Sequence, residues 1–147
     1  MQYQYQKEHQ NILNCPPANY QPLDKVAYRW VFVGNEIRNF QSQFEKNPKR
    51  FNDLSDLEKC EGTALSLFDT AIQAKDRFDF LKNKGTRPMG NKACQNLGTH
   101  IAEIQITVND GVSEVPSDSK GHFNHHPLKI LIIPTRSKLY NNYETIR

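Results

Sequence analysis

The spacing of apolar and polar residues divides this chain into short segments of differing period. The clearest helical pattern runs from Thr70 to Lys82. Ala71, Ala74, Phe78 and Leu81 fall on one face of it, and Lys75, Asp76, Asp79 and Lys82 on the other. Thr70 with Gln73 three residues on is a capping box, and Gly85 offers a left-handed residue to end the helix. Just before it, Ala64 to Phe68 reads as a short buried strand. A competing register exists. Ser55 with Glu58 is a second capping box, and Leu57, Cys60, Ala64 and Leu67 continue the apolar spacing back from Ala71, giving one helix from Ser55 to Lys82. Gly62, β-branched Thr63 and the fresh cap in the middle oppose that rod, so strand then helix is preferred.

Period two is clearest at His100 to Val108, where Ile104, Ile106 and Val108 share one face and Glu103, Gln105 and Thr107 the other. Asn109-Asp110-Gly111 then predicts a tight hairpin turn into a return strand over Val112 to Val115. Val26 to Val33 has strand propensity, and Ile37, Phe40 and Phe44 suit a helix over 36–46 that Pro48 closes. Leu128 to Ile133 is a continuous apolar run, expected as a central strand. Phe51 to Glu61 reads as a loop with a helical turn at 55–60, and Asn83 to Gly98 as a loose surface loop. Residues 1–23 carry Pro16, Pro17 and Pro22 and read as an irregular, loosely held arm. Residues 24–147 form a single α+β domain with a mixed or antiparallel sheet and two or three helices.

Composition narrows the class. A chain of 147 residues is one domain's length, and eight Phe, six Tyr and one Trp supply bulk for its core. Hydrophobic content of 37% and a mean hydropathy of -0.75 make it polar for a globular chain. A net charge of +3 permits an acidic partner without demanding one. Cys15, Cys60 and Cys94 are odd in number, far apart and in no C-x-x-C pair, which argues against a disulfide scaffold and for a reducing cytoplasm. The first ten residues lack the apolar core of a secretory signal, and no run reaches membrane-spanning length. A cytoplasmic protein away from membranes is expected.

Candidate chemistry is sparse. His122, His125 and His126 lie in GHFNHHP, just before the last apolar run, and so are expected in a polar turn at a strand edge rather than in the core. His-x-x-His can place two imidazoles on one metal, but the fourth ligand would have to come from Asp118 or Glu114, so no metal site is assigned. Pocket-rim imidazoles that bind or shuttle a proton are the alternative. Arg29 interrupts an apolar run between Tyr28 and Trp30 and needs an anion: a ligand phosphate, or a carboxylate such as Glu36. Ser66, in the middle of ALSLF, either lines a pocket or is a small packing residue, since no G-x-S-x-G elbow surrounds it. Glu103 is a weaker candidate, a general base or ribose-binding carboxylate against an ordinary solvated Glu. Cys60 and Cys94 have no neighbouring His in sequence and are given no nucleophilic role.

The order of these features is an aromatic-Arg strand (Tyr28, Arg29), Cys60 with the strand Ala64 to Phe68, and a Thr-capped helix. Gly98 to Ala102 and the pair Gly121-His122 follow. It resembles small uncharacterised bacterial proteins sharing that order over about the last four-fifths of the chain, and loosely the ADP-ribosyltransferase-like domains. The resemblance implies an NAD-binding fold with Arg29 and Ser66 in site positions. The late Glu of that family is missing: histidines precede the last strand, and Glu103 comes too early.

Two function classes follow. The leading expectation is a small intracellular binding or accessory module that recognises a protein or nucleic-acid partner. The alternative is a compact nucleotide-binding enzyme with NAD as substrate, using Arg29, Ser66 and the His122 to His126 cluster around one cleft. The lack of a complete acid/base or nucleophile constellation favours the module. Neither cofactor nor ligand is specified by the residues.

Overall fold

Two capping boxes decide how the middle of the chain folds, and both are used. Ser55 Oγ accepts the N–H of Glu58 and starts the helix Asp56–Gly62; Thr70 Oγ1 accepts the N–H of Gln73 and starts the helix Ala71–Asn83. Between them Leu65–Phe68 is a strand, so the continuous rod is excluded. The last residue of the first helix must be glycine, because the Phe51 ring occupies the space a side chain at Gly62 would need. The second does not end on a left-handed Gly85: the N–H groups of Lys84 and Gly85 both return to the Phe80 carbonyl, at 2.8 Å each.

The structure is a computed structural model that describes residues 3–32, 39–128 and the strand at 143–145. In chain order the described elements are α1 (Gln6–His9), β1 (Lys25–Val31), α2 (Gln43–Lys46), a 3-10 turn (Pro48–Phe51), α3 (Asp56–Gly62) and β2 (Leu65–Phe68). Then come α4 (Ala71–Asn83), α5 (Lys92–Asn96), β3 (His100–Ile106), β4 (Gly111–Ser113), β5 (His122–Pro127) and β6 (Tyr143–Thr145). The fold is α+β, one sheet of order β4-β5-β2-β1-β3-β6 with every pair antiparallel. Among the described residues no helix is long and apolar enough to cross a membrane.

The Asp110-Gly111 turn does not make the expected hairpin. Strand β4 pairs with β5, at the other end of the sheet from β3. Four strand spacings of ~4.8 Å would separate β3 from β4 by ~19 Å in a flat sheet. The link 107–110 is too short for that, and Asp110 N–H turns back to the Thr107 carbonyl. The sheet must therefore curl, and it curls around Ala27, Val31, Leu65, Leu67, Ile104 and Phe123. Its other face carries α4, where Phe78 and Ala74 pack on Phe68 and Ile101, and Trp30 Nε1 donates to the Ala74 carbonyl at 2.8 Å. Complete burial of Phe78 stabilises this layer by about 2–3 kcal/mol.

Other expectations change as well. The helix foreseen over 36–46 falls partly at 33–38, outside the described residues; from 39 onward it is broken at Ser42, an extended N-cap that starts α2 afresh. Pro48 opens the 3-10 turn. The supposed loops contain α3 and α5. Of the run Leu128 to Ile133 only Leu128 lies among the described residues, as an isolated bridge to Tyr3.

The N-terminal segment is firmly tied. Tyr5 and His9 are buried, Gln21 bridges Ser113, and Cys15 is joined to Cys60 of α3 by a disulfide. This overturns the expectation that the cysteines are unpaired. Partners 45 residues apart meet only because the segment folds back over α3, which no local spacing can show.

Candidate functional site: a polar cleft and a histidine–cysteine cluster

Arg29 faces the curled interior, opposite to its neighbours Tyr28 and Trp30, and is 8% exposed. Its Nε donates to the Asn39 carbonyl at 2.7 Å, one terminal nitrogen to the Ser66 carbonyl at 2.9 Å, and the other to the Gln41 carbonyl at 3.5 Å. Among the described residues the guanidinium finds backbone oxygens; Glu36, the carboxylate partner foreseen for it, lies outside them. Asn39 is itself locked, its side chain giving to and taking from the backbone of Phe32. These bonds shape a cleft of about 80 Å³, with Gln43, Lys46, Ser66 and Asn96 on its walls. Ser66 is the exposed position of an otherwise buried strand.

The three clustered histidines are not in a turn. They lie on β5, and their environments diverge. His122 opposes Phe68 across the strand pair, with the rings 5.4 Å apart and its Nδ1 3.7 Å from Asp118 Oδ2. Burial lowers its pKa, against the pull of Asp118 and Glu114. Burial works to raise the Asp118 carboxyl, but N–H groups of His122 and Lys120 and nearby positive charge hold it below the usual range. His122 lines a second cleft, of about 310 Å³, with Arg77, Ser119 and Lys120. Arg29 and Ser66 therefore share one cleft and His122 belongs to another. His125 is buried and its Nδ1 meets Ser113 Oγ at 2.7 Å across the β4–β5 pair. Glu103 on β3 accepts from the Tyr28 hydroxyl at 3.2 Å; burial, with the Glu103 charge, raises that phenol's pKa.

His126 occupies the best-built environment. It is 1% exposed, its ring edge-on to His9 at 5.2 Å and tilted against Tyr20 at 5.6 Å. Its Nε2 lies 3.7 Å from Cys60 Sγ, and its Nδ1 has no hydrogen-bond partner among the described residues. Burial, aided by His9, pushes the imidazole down to about 3. His9 is also buried. Its Nε2 meets Thr63 Oγ1 at 3.0 Å, its Nδ1 is likewise without a partner, and burial lowers its pKa. Ligating atoms of His9, Cys15 and His126 all lie within 4.8 Å of one another. Sequence reasoning singled out His126 and missed His9, Cys15 and Cys60. Cys60 does have a histidine neighbour, but in space, from a strand that follows much later in the chain. His9 and Cys15 on either side of a short Asn-rich turn were the only local signal.

With this geometry in place, comparison with protein-family models, with curated proteins and with solved structures finds no match to the chain.

Proposed function

We propose that this protein is a small binding module that holds an extended anionic partner, single-stranded nucleic acid, across the mouth of the Arg29 cleft. The observation that carries this is the lining. Arg29 and Lys46 are its cationic residues, Gln43 and Asn96 its amides and Ser66 a small polar residue, and no carboxylate residue lines the cleft among the described residues. Phosphodiesters take cations and neutral donors, and base edges take amides. Size argues in the same direction. Enclosed small-molecule sites run to about 300–1,000 Å³, so a cleft of about 80 Å³ can grip the edge of a polymer but cannot enclose a dinucleotide such as NAD. The NAD-enzyme alternative also needs His122 beside Arg29 and Ser66, and His122 lines the other cleft.

Fluorescence anisotropy with a labelled single-stranded oligonucleotide at two salt concentrations tests this. Binding should weaken as salt rises, and Lys46→Gln should reduce the log–log salt slope by about one. An identical slope for Lys46→Gln, or no binding at low salt, defeats the reading. Stabilisation by an acidic peptide but not by the oligonucleotide would transfer the role to a protein partner.

A further inference from the structure

We propose that His9, Cys15, Cys60 and His126 form a Cys2His2 binding site for a zinc-class divalent cation, and that the Cys15–Cys60 disulfide is the oxidised, metal-free state of that site. The inference is independent of the Arg29 cleft.

The donor set comes first. Two thiolates and two neutral imidazoles are the S2N2 combination that suits a tetrahedral, borderline-soft cation. In such a site, bonds of ~2.3 Å to sulfur and ~2.05 Å to nitrogen put a sulfur and a nitrogen ~3.6 Å apart. His126 Nε2 and Cys60 Sγ stand at 3.7 Å. The third and fourth donors are at hand, since Cys15 is bonded to Cys60 and the His9, Cys15 and His126 ligating atoms lie within 4.8 Å of one another.

Unfilled valence comes second. Both histidines are more than nine-tenths buried, and each keeps one ring nitrogen without a hydrogen-bond partner among the described residues. For His9 the reason can be traced. Thr63 Oγ1 donates to the Cys60 carbonyl at 2.8 Å, so it accepts from His9 Nε2–H at 3.0 Å. That fixes the tautomer and leaves Nδ1 a bare lone pair, the outer-shell arrangement that orients a metal-binding imidazole. Buried polar atoms are normally satisfied, and the open Nδ1 of His9 points to an absent ligand, while at His126 the nitrogen that stands beside Cys60 is Nε2. Charge agrees. Two thiolates and a divalent cation sum to zero, so the loaded site needs no further counter-charge in this enclosed place.

The four ligands come from α1, the segment after it, α3 and β5, and they fill the tetrahedron. The site is therefore structural, fastening the N-terminal segment to the sheet. Loading requires reduction. A dithiol gives two electrons and, with two protons, breaks the Cys15–Cys60 bond to two thiols while closing to its own disulfide. The cation then displaces both thiol protons to solvent. In the reverse direction a peroxide takes two electrons from the thiolates; with two protons it leaves as two waters, the disulfide re-forms and the cation is released.

The test uses the full chain, reduced and kept anaerobic, titrated with Co2+ as spectroscopic probe and then with Zn2+. One equivalent of Co2+ should give the absorption of tetrahedral cobalt with a thiolate charge-transfer band. That first loading should release about two protons at a pH below the thiol pKa, Zn2+ should then displace Co2+ with no further proton release, and the oxidised chain should give no band. Cys15→Ser and His9→Ala should each lower affinity on the order of 100-fold or more, and Cys94→Ser should leave it unchanged. If the reduced chain is unfolded, recovery of a cooperative thermal transition on adding Zn2+ supports the site, and failure to recover overturns it. A folded, reduced chain with no thiolate–cobalt band also overturns it, as does a band that His9→Ala leaves unaltered.

Discussion

Arg29 and His126 are both nearly sealed from solvent, 8% and 1% exposed, yet the protein treats them in opposite ways. Around Arg29 the chain brings three backbone carbonyls to the guanidinium, and the demands of a buried cation are met from within. Around His126 and His9 it brings aromatic rings and sulfur, and each imidazole keeps a nitrogen without a partner among the described residues. A buried polar group that is fully partnered builds structure, whereas one with an open valence indicates where something else binds. The cleft that Arg29 shapes can present its rim to a partner because its floor is settled. The histidine–cysteine cluster is completed only by an addition.

The largest effect should come from the cluster. With metal absent, Cys15→Ser opens a link between residues 45 apart and should lower unfolding stability by about 4 kcal/mol, read from the urea midpoint. A loss under about 1 kcal/mol would mean that the N-terminal segment is held by its other contacts. Next, Arg29→Leu leaves the carbonyls of Asn39, Ser66 and Gln41 without their donor and should cost about 3 kcal/mol in the same assay. A neutral result would remove the contrast between the two regions.

Tyr5 joins them. Its hydroxyl donates to Glu45 Oε2 at 2.6 Å and accepts the N–H of Ser42, which lines the cleft. Burial, with the bond to Glu45, pushes the phenol up to about 12 from its ordinary 10. Below pH 10 the phenol is protonated in both folded and unfolded chains, and its stabilising contribution is whole. Between pH 10 and 12 the unfolded chain alone loses the proton, so stability should fall with rising pH by about 2–3 kcal/mol. Tyr5→Phe should flatten that part of the pH profile; an unchanged slope would detach Tyr5 from both regions. The smallest effect serves as a reference away from either region. Thr70→Ala removes the cap of α4 and should cost about 1 kcal/mol by thermal melting, without altering oligonucleotide or metal binding.

Features that depend on near neighbours were legible in advance. The Thr70 and Ser55 caps, the buried face Ala74 and Phe78, and the strand at Leu65–Phe68 each follow from a few adjacent residues. The Asp110-Gly111 turn shows where such reasoning ends. The tight turn is present, but the strand after it pairs with β5, because the curled sheet brings its far edge within reach. Arg29, Ser66 and the histidines were expected around one cleft; Arg29 and Ser66 line one together, while His122, His125 and His126 were grouped by sequence proximity. Alternation along β5 sends His125 toward Ser113 and His126 toward Cys60, and His122, on the same face as His126, sits at the far end beside Phe68.

By itself, the amino-acid order determined an α+β chain with a capped helix following a short strand, since caps, periods and turn residues act over three or four positions. Only the tertiary structure decided which strands are neighbours, that the first residues fold back onto α3, and that Cys60 ends beside Cys15, His9 and His126. Those meetings depend on the curl of a whole sheet and on contacts between distant segments. No local pattern of residues carries that information.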